Sequence, residues 1–347
     1  MKSSQSITKK KVSVVIPSLN AKSFIGDCLN SLRSQTYRNF ETIVVENGST
    51  DGSAEYLVKN HPEVIVLQQP KNLGFAGGVN VGIKYSDADY VVLLNNDASV
   101  HKDWLKYLVE AAENNSRAGS VTSKILQVHK KRGTNKHFID TTGDYYSIWG
   151  LPFPRGRDEL DIGQFEEADE VFAACGGSVL LRRATLNEVG LFDEKFFAYY
   201  EDVDLSFRMR LAGWVVIYEP KSIVYHALSK TSGGGRKPFA RYHSIKNTWL
   251  LYLKNLPFTL LIRFLPRFII MSLFMLVSSA RNQLLRAHLK GMVVALFYTP
   301  SALLDRWRIQ KNRVITPADV DAVLFKSLPP KQEEAFKKMK FKNANGR

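Results

Sequence analysis

Short unbroken apolar runs alternate with polar, glycine-bearing loops over the first 115 residues of this chain. Val12-Ser13-Val14-Val15-Ile16, the stretch 40–45, Val64-Ile65-Val66-Leu67 and Tyr90-Val91-Val92-Leu93-Leu94 have the length and Val/Ile/Leu content of strands covered on both faces. Between the first two, Phe24, Cys28, Leu29 and Leu32 recur at helical spacing, which predicts a helix over about 23–34. A dense polar loop at 46–53 follows the second strand, with Ser49 or Thr50 as candidate cap of the next helix. The stretch Asn72-Leu73-Gly74-Phe75-Ala76-Gly77-Gly78 reads as a glycine-rich turn before a short helix ending near Tyr85. Strands alternating with helices predict an α/β fold with a Rossmann-like, mostly parallel sheet flanked by helices.

Ligands in such sheets sit just beyond the carboxyl ends of the strands. The loops at 17–20, 46–50 and 95–97 all fall at that edge, so Asn95, Asn96 and Asp97 stand where a ligand is expected. In extended chain Asn95 and Asp97 project to one side, and a carboxylate beside an amide oxygen suits Mg2+ or Mn2+ better than zinc. An ordinary polar turn explains the same residues equally well. The glycine turn lets backbone N–H groups approach a ligand. It is not the dinucleotide fingerprint, because the first strand is followed by Pro17-Ser18-Leu19-Asn20, and Gly233-Gly234-Gly235-Arg236-Lys237-Pro238 lacks the phosphate-loop spacing.

The stretch 115–170 is less regular, and Tyr145-Tyr146-Ser147-Ile148-Trp149 reads either as a packed hairpin or as a surface for stacking on a sugar, packing being favoured. Val171 to Leu181 reads as a loop entering a strand, with Gly176 and Gly177 permitting close backbone approach. Arg182-Arg183-Ala184 then opens a short helix. Glu201-Asp202-Val203-Asp204 opens another, with Leu205, Met209 and Ala212 on one face. Three acids in a first turn cap a helix and complement its dipole, or project a carboxylate base into a cleft. Trp214 to Tyr218 and Ile223 to His226 read as further strands, and the Gly/Ser run at 229–235 as a mobile loop.

Charge changes the picture of the C-terminal third. The 347 residues are 45% hydrophobic, enough for one large domain with an appendage, and the net charge is +15. Residues 241–347 hold 19 Lys+Arg against 5 Asp+Glu, whereas residues 1–240 are close to neutral. The excess points to an anionic surface. Apolar runs at 256–280 and 291–304, broken by Arg263, Pro266, Arg267 and Pro300 and flanked by basic residues, suit helices lying in a membrane interface. Burial against the rest of the chain and a tilted spanning hairpin are the alternatives. Basic residues without interleaved aromatics argue against nucleic acid. Two cysteines, Cys28 and Cys175, give no disulfide framework or zinc site, which suggests a reducing compartment; residues 1–11 are polar and basic, so no secretory signal is expected.

Taken together, Val14-Val15-Ile16-Pro17-Ser18-Leu19-Asn20, Val44-Val45-Glu46-Asn47-Gly48-Ser49-Thr50-Asp51-Gly52-Ser53, Asn72 to Asn80, Leu94-Asn95-Asn96-Asp97, Glu201-Asp202-Val203-Asp204 and His226 resemble family 2 glycosyltransferases of GT-A fold. The resemblance covers about 11–235 and is closest to the rhamnosyltransferase-like branch of bacterial surface polysaccharide synthesis. It implies an inverting transferase moving a sugar, rhamnose from dTDP-rhamnose first and a hexose from UDP second, onto a lipid-linked or polysaccharide acceptor. A non-catalytic nucleotide-binding scaffold is the competing class. By resemblance Asp202 is the base, and Asn95, Asp97 and His226 bind Mg2+ or Mn2+. Pro17, Ser18, Asn20, Glu46, Asn47, Asn72, Gly77, Gly78, Asn80 and Asn96 line the nucleotide-sugar, and Trp149, Gly176, Gly177 and Glu201 meet the acceptor. Asn95 and Glu46 stand where the family usually has Asp, and the Gln-x-x-Arg-Trp motif of processive synthases is absent. The expected organisation is a flexible 1–10, a catalytic 11–240 with donor half 11–115 and acceptor half 116–240, a membrane-associating helical 241–328 and a lysine-rich tail 329–347. The expected location is the cytoplasmic face of the cell membrane, peripheral or monotopic, with the oligomeric state open.

Overall fold

The computed structural model describes residues 11–227 and 237–334. The expected flexible start at 1–10, the Gly/Ser loop at 229–235 and the end of the lysine-rich tail lie outside the described residues. In chain order the strands are β1 Val12–Ser18, β2 Phe40–Glu46, β3 Ile65–Gln68, β4 Tyr90–Leu94, β5 Ala98–Val100, β6 Ala118–Lys130, β7 His137–Thr141, β8 Asp144–Tyr146, β9 Pro152–Pro154, β10 Asp169–Glu170, β11 Ser178–Arg182 and β12 Val215–His226. The helices are α1 Ile25–Arg33, α2 Ser53–Asn60, α3 Gly74–Tyr85, α4 Trp104–Asn114, α5 Arg183–Val189, α6 Glu201–Leu211, α7 Lys237–Asn255, α8 Phe258–Arg281, α9 Leu285–Lys311 and α10 Pro317–Val323.

The main sheet runs β10-β12-β6-β11-β4-β1-β2-β3. β3, β2, β1 and β4 are parallel, as the alternating pattern predicts, and β11 enters antiparallel between β4 and β6. Alternate residues of β1 explain the apolar runs. Val12, Val14 and Ile16 pack under α1 and α4, while Val15 faces the core shared by α3, α5 and α6. Both faces are covered, and the one polar side chain among Val12 to Ile16, Ser13, is buried with its Oγ donating to Glu41 and accepting from Ser86.

Three local expectations are corrected. The glycine stretch is helix rather than turn, because α3 starts at Gly74, and Gly82 lies so close to β1 that a Cβ would strike Val15. α2 is capped at neither Ser49 nor Thr50; it begins after Gly52 at φ +80, where Asp51 Oδ1 accepts from the Ser53 N–H at 3.0 Å. The irregular middle contains β6, a 13-residue strand whose Ser120, Thr122, Ser123 and Lys124 are buried.

The C-terminal helices run through their prolines, Pro266 in α8 and Pro300 in α9, reaching 24 and 27 residues. α7 is joined to the sheet domain, with the Asn247 side chain bonding the loop before α6 and Lys254 and Asn255 bonding Asp204. α9 lies along α7, where Trp249 Nε1 donates to Thr299 and Arg306 donates to the carbonyls of Leu253 and Leu256. Only 28% and 22% of the most apolar stretches of α8 and α9 are buried. Both are long and apolar enough to cross a membrane by length and composition.

Candidate active site

The first wall is the carboxyl edge of the parallel strands. Ser18 pairs with Glu46, and Val15 with Leu93, so the loops after β1, β2 and β4 open together. Ser18 is buried, and its Oγ has no hydrogen-bond partner among the described residues. Asn20, at φ +51, accepts from the Thr50 N–H at 2.9 Å and ties the first two loops together. Glu46 Oε1 accepts from the Ser49 N–H at 2.9 Å. The Asn47 amide holds the next loop, accepting from the Leu73 N–H at 2.9 Å and donating to the carbonyl of Gly74 at 3.0 Å. Asn72 Oδ1 accepts from the Gly74 N–H at 2.8 Å. A Cβ on Gly78 would stand 3.2 Å from Asn47 Nδ2 and 3.5 Å from Pro17, whereas one on Gly77 would meet only Leu73 of its own helix start. Asn80 is turned elsewhere: its side chain bonds the backbone of Phe192 in both directions and Glu194 Oε1, and it is buried there.

The second wall begins at Asp97. β5 and β12 pair antiparallel with Ala98 opposite His226, and the Ala227 N–H donates to the Asp97 carbonyl at 3.0 Å. His226 Nε2 therefore lies 3.0 Å from Asp97 Oδ1 and 3.2 Å from Asn95 Nδ2. Its Nδ1 lies 2.7 Å from Asp140 Oδ2. Asp140 is absent from the sequence-based candidates. It falls at a register shift between β6 and β7, where Ile125 faces Thr141 and Leu126 faces Ile139. That bulge re-aims its side chain, and Arg157 pairs with its other oxygen. Burial opposes the charged imidazole, but hydrogen bonds to Asp140 and Asp97 outweigh it and push His226 up to about 9. Asn96 is buried beside this group.

The third wall is the start of α6. Asp202 Oδ2 accepts from the Gly176 N–H at 2.8 Å, and Oδ1 from the Val203 N–H at 2.8 Å. Burial raises its carboxyl above the ordinary range. Gly177 supplies the carbonyl that accepts from the Asn95 N–H at 3.1 Å, so the glycine pair stitches the Asp202 wall to the Asp97 wall. Asp144, missed by sequence reasoning, accepts from Thr141 Oγ1 at 3.0 Å, and burial together with the Asp202 charge pushes it up to about 8. Glu201 is buried with no hydrogen-bond partner for Oε2 among the described residues, and burial and Asp202 hold its carboxyl well above the usual range. Asp204 is different in kind. Burial opposes its charge, but Lys254 and Arg208, each 2.9 Å away, hold it down to about 2. It is structural. The acids of this helix start thus divide into one anchor, Asp204, and two groups open to chemistry.

The backbone leading into α6 is strained. Phe197, Tyr199 and Tyr200 have φ of +65, +71 and +70. Such geometry costs on the order of 1 kcal/mol or more per non-glycine residue. Asn247 holds it in place from α7. Trp149 lines a separate cavity of about 460 Å³ with Ile148, Arg267 and Lys326, and Tyr145 and Tyr146 are packed against Phe153, Phe325 and Phe172.

Among the described residues no group of three or more His, Cys, Asp and Glu side chains forms a metal cage. Asp97, Asn95 and His226 nevertheless present a carboxylate, an amide and an imidazole at one point. The Asp140 contact to the far ring nitrogen is the outer-carboxylate arrangement that orients a ligating histidine. A hard cation that takes its remaining ligands from a diphosphate and water fits this partial set.

The sequence profile "Glycosyl transferase family 2" matches residues 13–190. The chain is 31% identical over 241 residues to an N-acetylglucosaminyl-diphospho-decaprenol L-rhamnosyltransferase of Mycobacterium tuberculosis, covering 64% of this chain and 77% of that one. It is 27% identical over 233 residues to a poly-beta-1,6-N-acetyl-D-glucosamine synthase of Staphylococcus aureus, covering 67% of this chain and 53% of the relative. In fold it resembles GalNAc-T7, solved with UDP, GalNAc and Mn2+, at a TM-score of 0.56 and 16% identity, over 72% of this chain and 48% of that one.

Proposed function

Because the chain belongs to glycosyltransferase family 2, we propose that it is an inverting, divalent-metal-dependent transferase that moves a deoxyhexose, rhamnose from dTDP-rhamnose, to a hydroxyl of a lipid-linked glycan acceptor. The observation that carries this reading is the meeting of three walls. The Gly176-Gly177 backbone binds Asp202 with one N–H and the Asp97 loop with one carbonyl. The base and the diphosphate end of the cleft are therefore neighbours although their residues are far apart in sequence.

In the reaction the acceptor O–H gives its proton to Asp202, the oxygen bonds to the anomeric carbon, and the bond from that carbon to the nucleoside diphosphate breaks. An alcohol has a pKa far above neutrality, so a positioned base is needed as it attacks. One displacement with one base inverts the anomeric centre. Burial raises the Asp202 pKa, which strengthens it as a proton acceptor, while the two backbone N–H groups fix its lone pairs. Asn95, Asp97 and His226 would hold Mg2+ or Mn2+, which supplies positive charge against the departing diphosphate. Ser18, Glu46 and Asn47 would face the nucleoside. Asn80, engaged by Phe192 and Glu194, acts through the shape of α3.

The rhamnosyl donor and lipid-linked acceptor are supported by the relative with the larger matched share of its own length. The synthase relative favours a second reading, a UDP-hexose donor such as UDP-galactose or UDP-N-acetylglucosamine. Membrane association fits both. α8 and α9 leave Phe258, Ile262, Ile269, Leu273, Val293 and Phe297 exposed, with Arg267, Arg281, Arg286 and Lys290 beside them. Such faces suit the anionic cytoplasmic surface of the cell membrane. In this organisation residues 11–240 carry transfer, 241–328 carry the membrane, and α7 serves both. The deciding experiment measures hydrolysis and transfer with dTDP-rhamnose, UDP-galactose and UDP-N-acetylglucosamine, each with Mg2+, Mn2+ or a chelator. Metal-dependent turnover of one donor is expected. Turnover of none, with nucleotide binding retained, favours a non-catalytic scaffold.

A further inference from the structure

We propose that Tyr199 and Phe239 form the platform on which the acceptor's sugar ring stacks. The inference rests on the transferase reading and names a subsite within it. Three bulky residues within four positions hold left-handed backbone immediately before α6. Backbone of this kind persists only where its surroundings over-determine it, and it concentrates at functional sites. Here the surroundings are specific. The Asn247 Nδ2 group donates to the carbonyls of Phe196, Ala198 and Tyr199 at 3.0, 2.8 and 2.7 Å, and the Ala76 N–H of α3 donates to the Phe197 carbonyl at 3.2 Å.

The strain displays aromatic rings instead of burying them. Phe239 is 37% exposed, and Tyr199 and Phe197 are half-buried. The Tyr199 and Phe239 centroids stand 6.2 Å apart at 59°, Phe239 lies 4.4 Å from the His243 ring, and His243 stacks on Phe197 at 5.2 Å and 15°. At its other edge Phe197 abuts Gly74, the start of α3. The rings therefore extend from the helix beside the donor edge to a point three residues before Asp202, where the acceptor hydroxyl must arrive. Burial and the Lys246 charge hold His243 down to about 4, so this ring set is uncharged at neutral pH. An uncharged, partly open aromatic surface suits the C–H face of a neutral pyranose rather than a phosphate.

The test uses saturation-transfer NMR of the full-length protein with methyl N-acetyl-β-glucosaminide, in the presence of whichever of dTDP or UDP the protein binds. The wild type should bind with one ring face saturated. Phe239→Leu and Tyr199→Leu should each weaken binding at least tenfold, Tyr199→Phe should stay within about twofold, and nucleotide affinity should not change. Thermal melting checks that each variant is folded, and the exposed Phe239 keeps the test informative if the Tyr199 variants are not. Equal binding by Phe239→Leu, no glycoside binding by the wild type, or a parallel loss of nucleotide affinity overturns the platform. Donor hydrolysis by the wild type is scored separately. If it persists when the platform fails, the transferase reading stands, and if it is absent while the platform binds, that reading falls alone.

Discussion

The backbone N–H of Gly176 donates to Oδ2 of Asp202 at 2.8 Å, across 26 residues of sequence. A Cβ on residue 176 would stand 3.3 Å from that oxygen and 3.1 Å from the Phe75 ring. Gly176→Ala should therefore move Asp202, the proposed base, without removing it. The expected result is a fall in kcat of about tenfold, roughly 1.4 kcal/mol in the barrier, with donor KM within twofold. Steady-state kinetics against donor concentration measures it, and an unchanged kcat would show that the contact does not position the base.

Asp204 anchors α7 to α6. Asp204→Asn should lower stability by roughly 3 kcal/mol, because Lys254 and Arg208 lose a buried carboxylate partner. The wild type should show the matching pH dependence. A carboxyl held down to about 2 stabilises the fold above the ordinary carboxylate range, and that contribution is lost as pH falls from about 4 toward 2. Its size is about 2 kcal/mol. Urea titrations of both proteins from pH 7 to pH 2 measure it; the Asn variant should lack the part of the acid slope due to this group.

Asp140 fixes the His226 ring from the side opposite Asp97. Asp140→Asn should weaken activation by Mg2+ or Mn2+ by 10–100-fold, as loss of an outer-shell carboxylate commonly does. Nucleotide binding without metal should be unaffected. Titration of activity with metal after chelator treatment reads the shift, and an unaltered metal requirement would separate Asp140 from the metal.

Much of residues 11–115 was legible in sequence, because strands buried on both faces show as continuous apolar runs and their carboxyl ends locate the loops. Gly74, Gly77 and Gly78 were not. In sequence they signal a turn, but in the fold α3 starts at Gly74 and lies close to β1 and Asn47, a contact that no local pattern encodes. Asp140 and Asp144 escaped for a related reason. Each is an isolated acid in an irregular stretch, and only the bulge between β6 and β7 and the approach of α6 give them neighbours. Asn80 has the right place in the motif but bonds Phe192, which spacing could not reveal. Pro266 and Pro300 looked like breaks in the apolar runs, yet the helices continue through both.

The exposed faces of α8 and α9 predict vesicle binding. Full-length protein should float with vesicles containing phosphatidylglycerol, and Val293→Glu with Phe297→Glu, at positions 66% and 78% exposed, should reduce the bound fraction several-fold. Raised salt should weaken binding further by screening the basic flank. Protein that stays at the bottom of the gradient with anionic vesicles would remove membrane association.

The most direct measurement is single-turnover transfer by Asp202→Asn alongside calorimetric donor binding. Asn retains the size of the side chain and an acceptor oxygen but cannot take the acceptor's proton. Transfer should fall about a hundredfold or more, with donor affinity within a few-fold of wild type. Transfer near the wild-type rate would contradict this and move the role of base to Glu201 or Asp144.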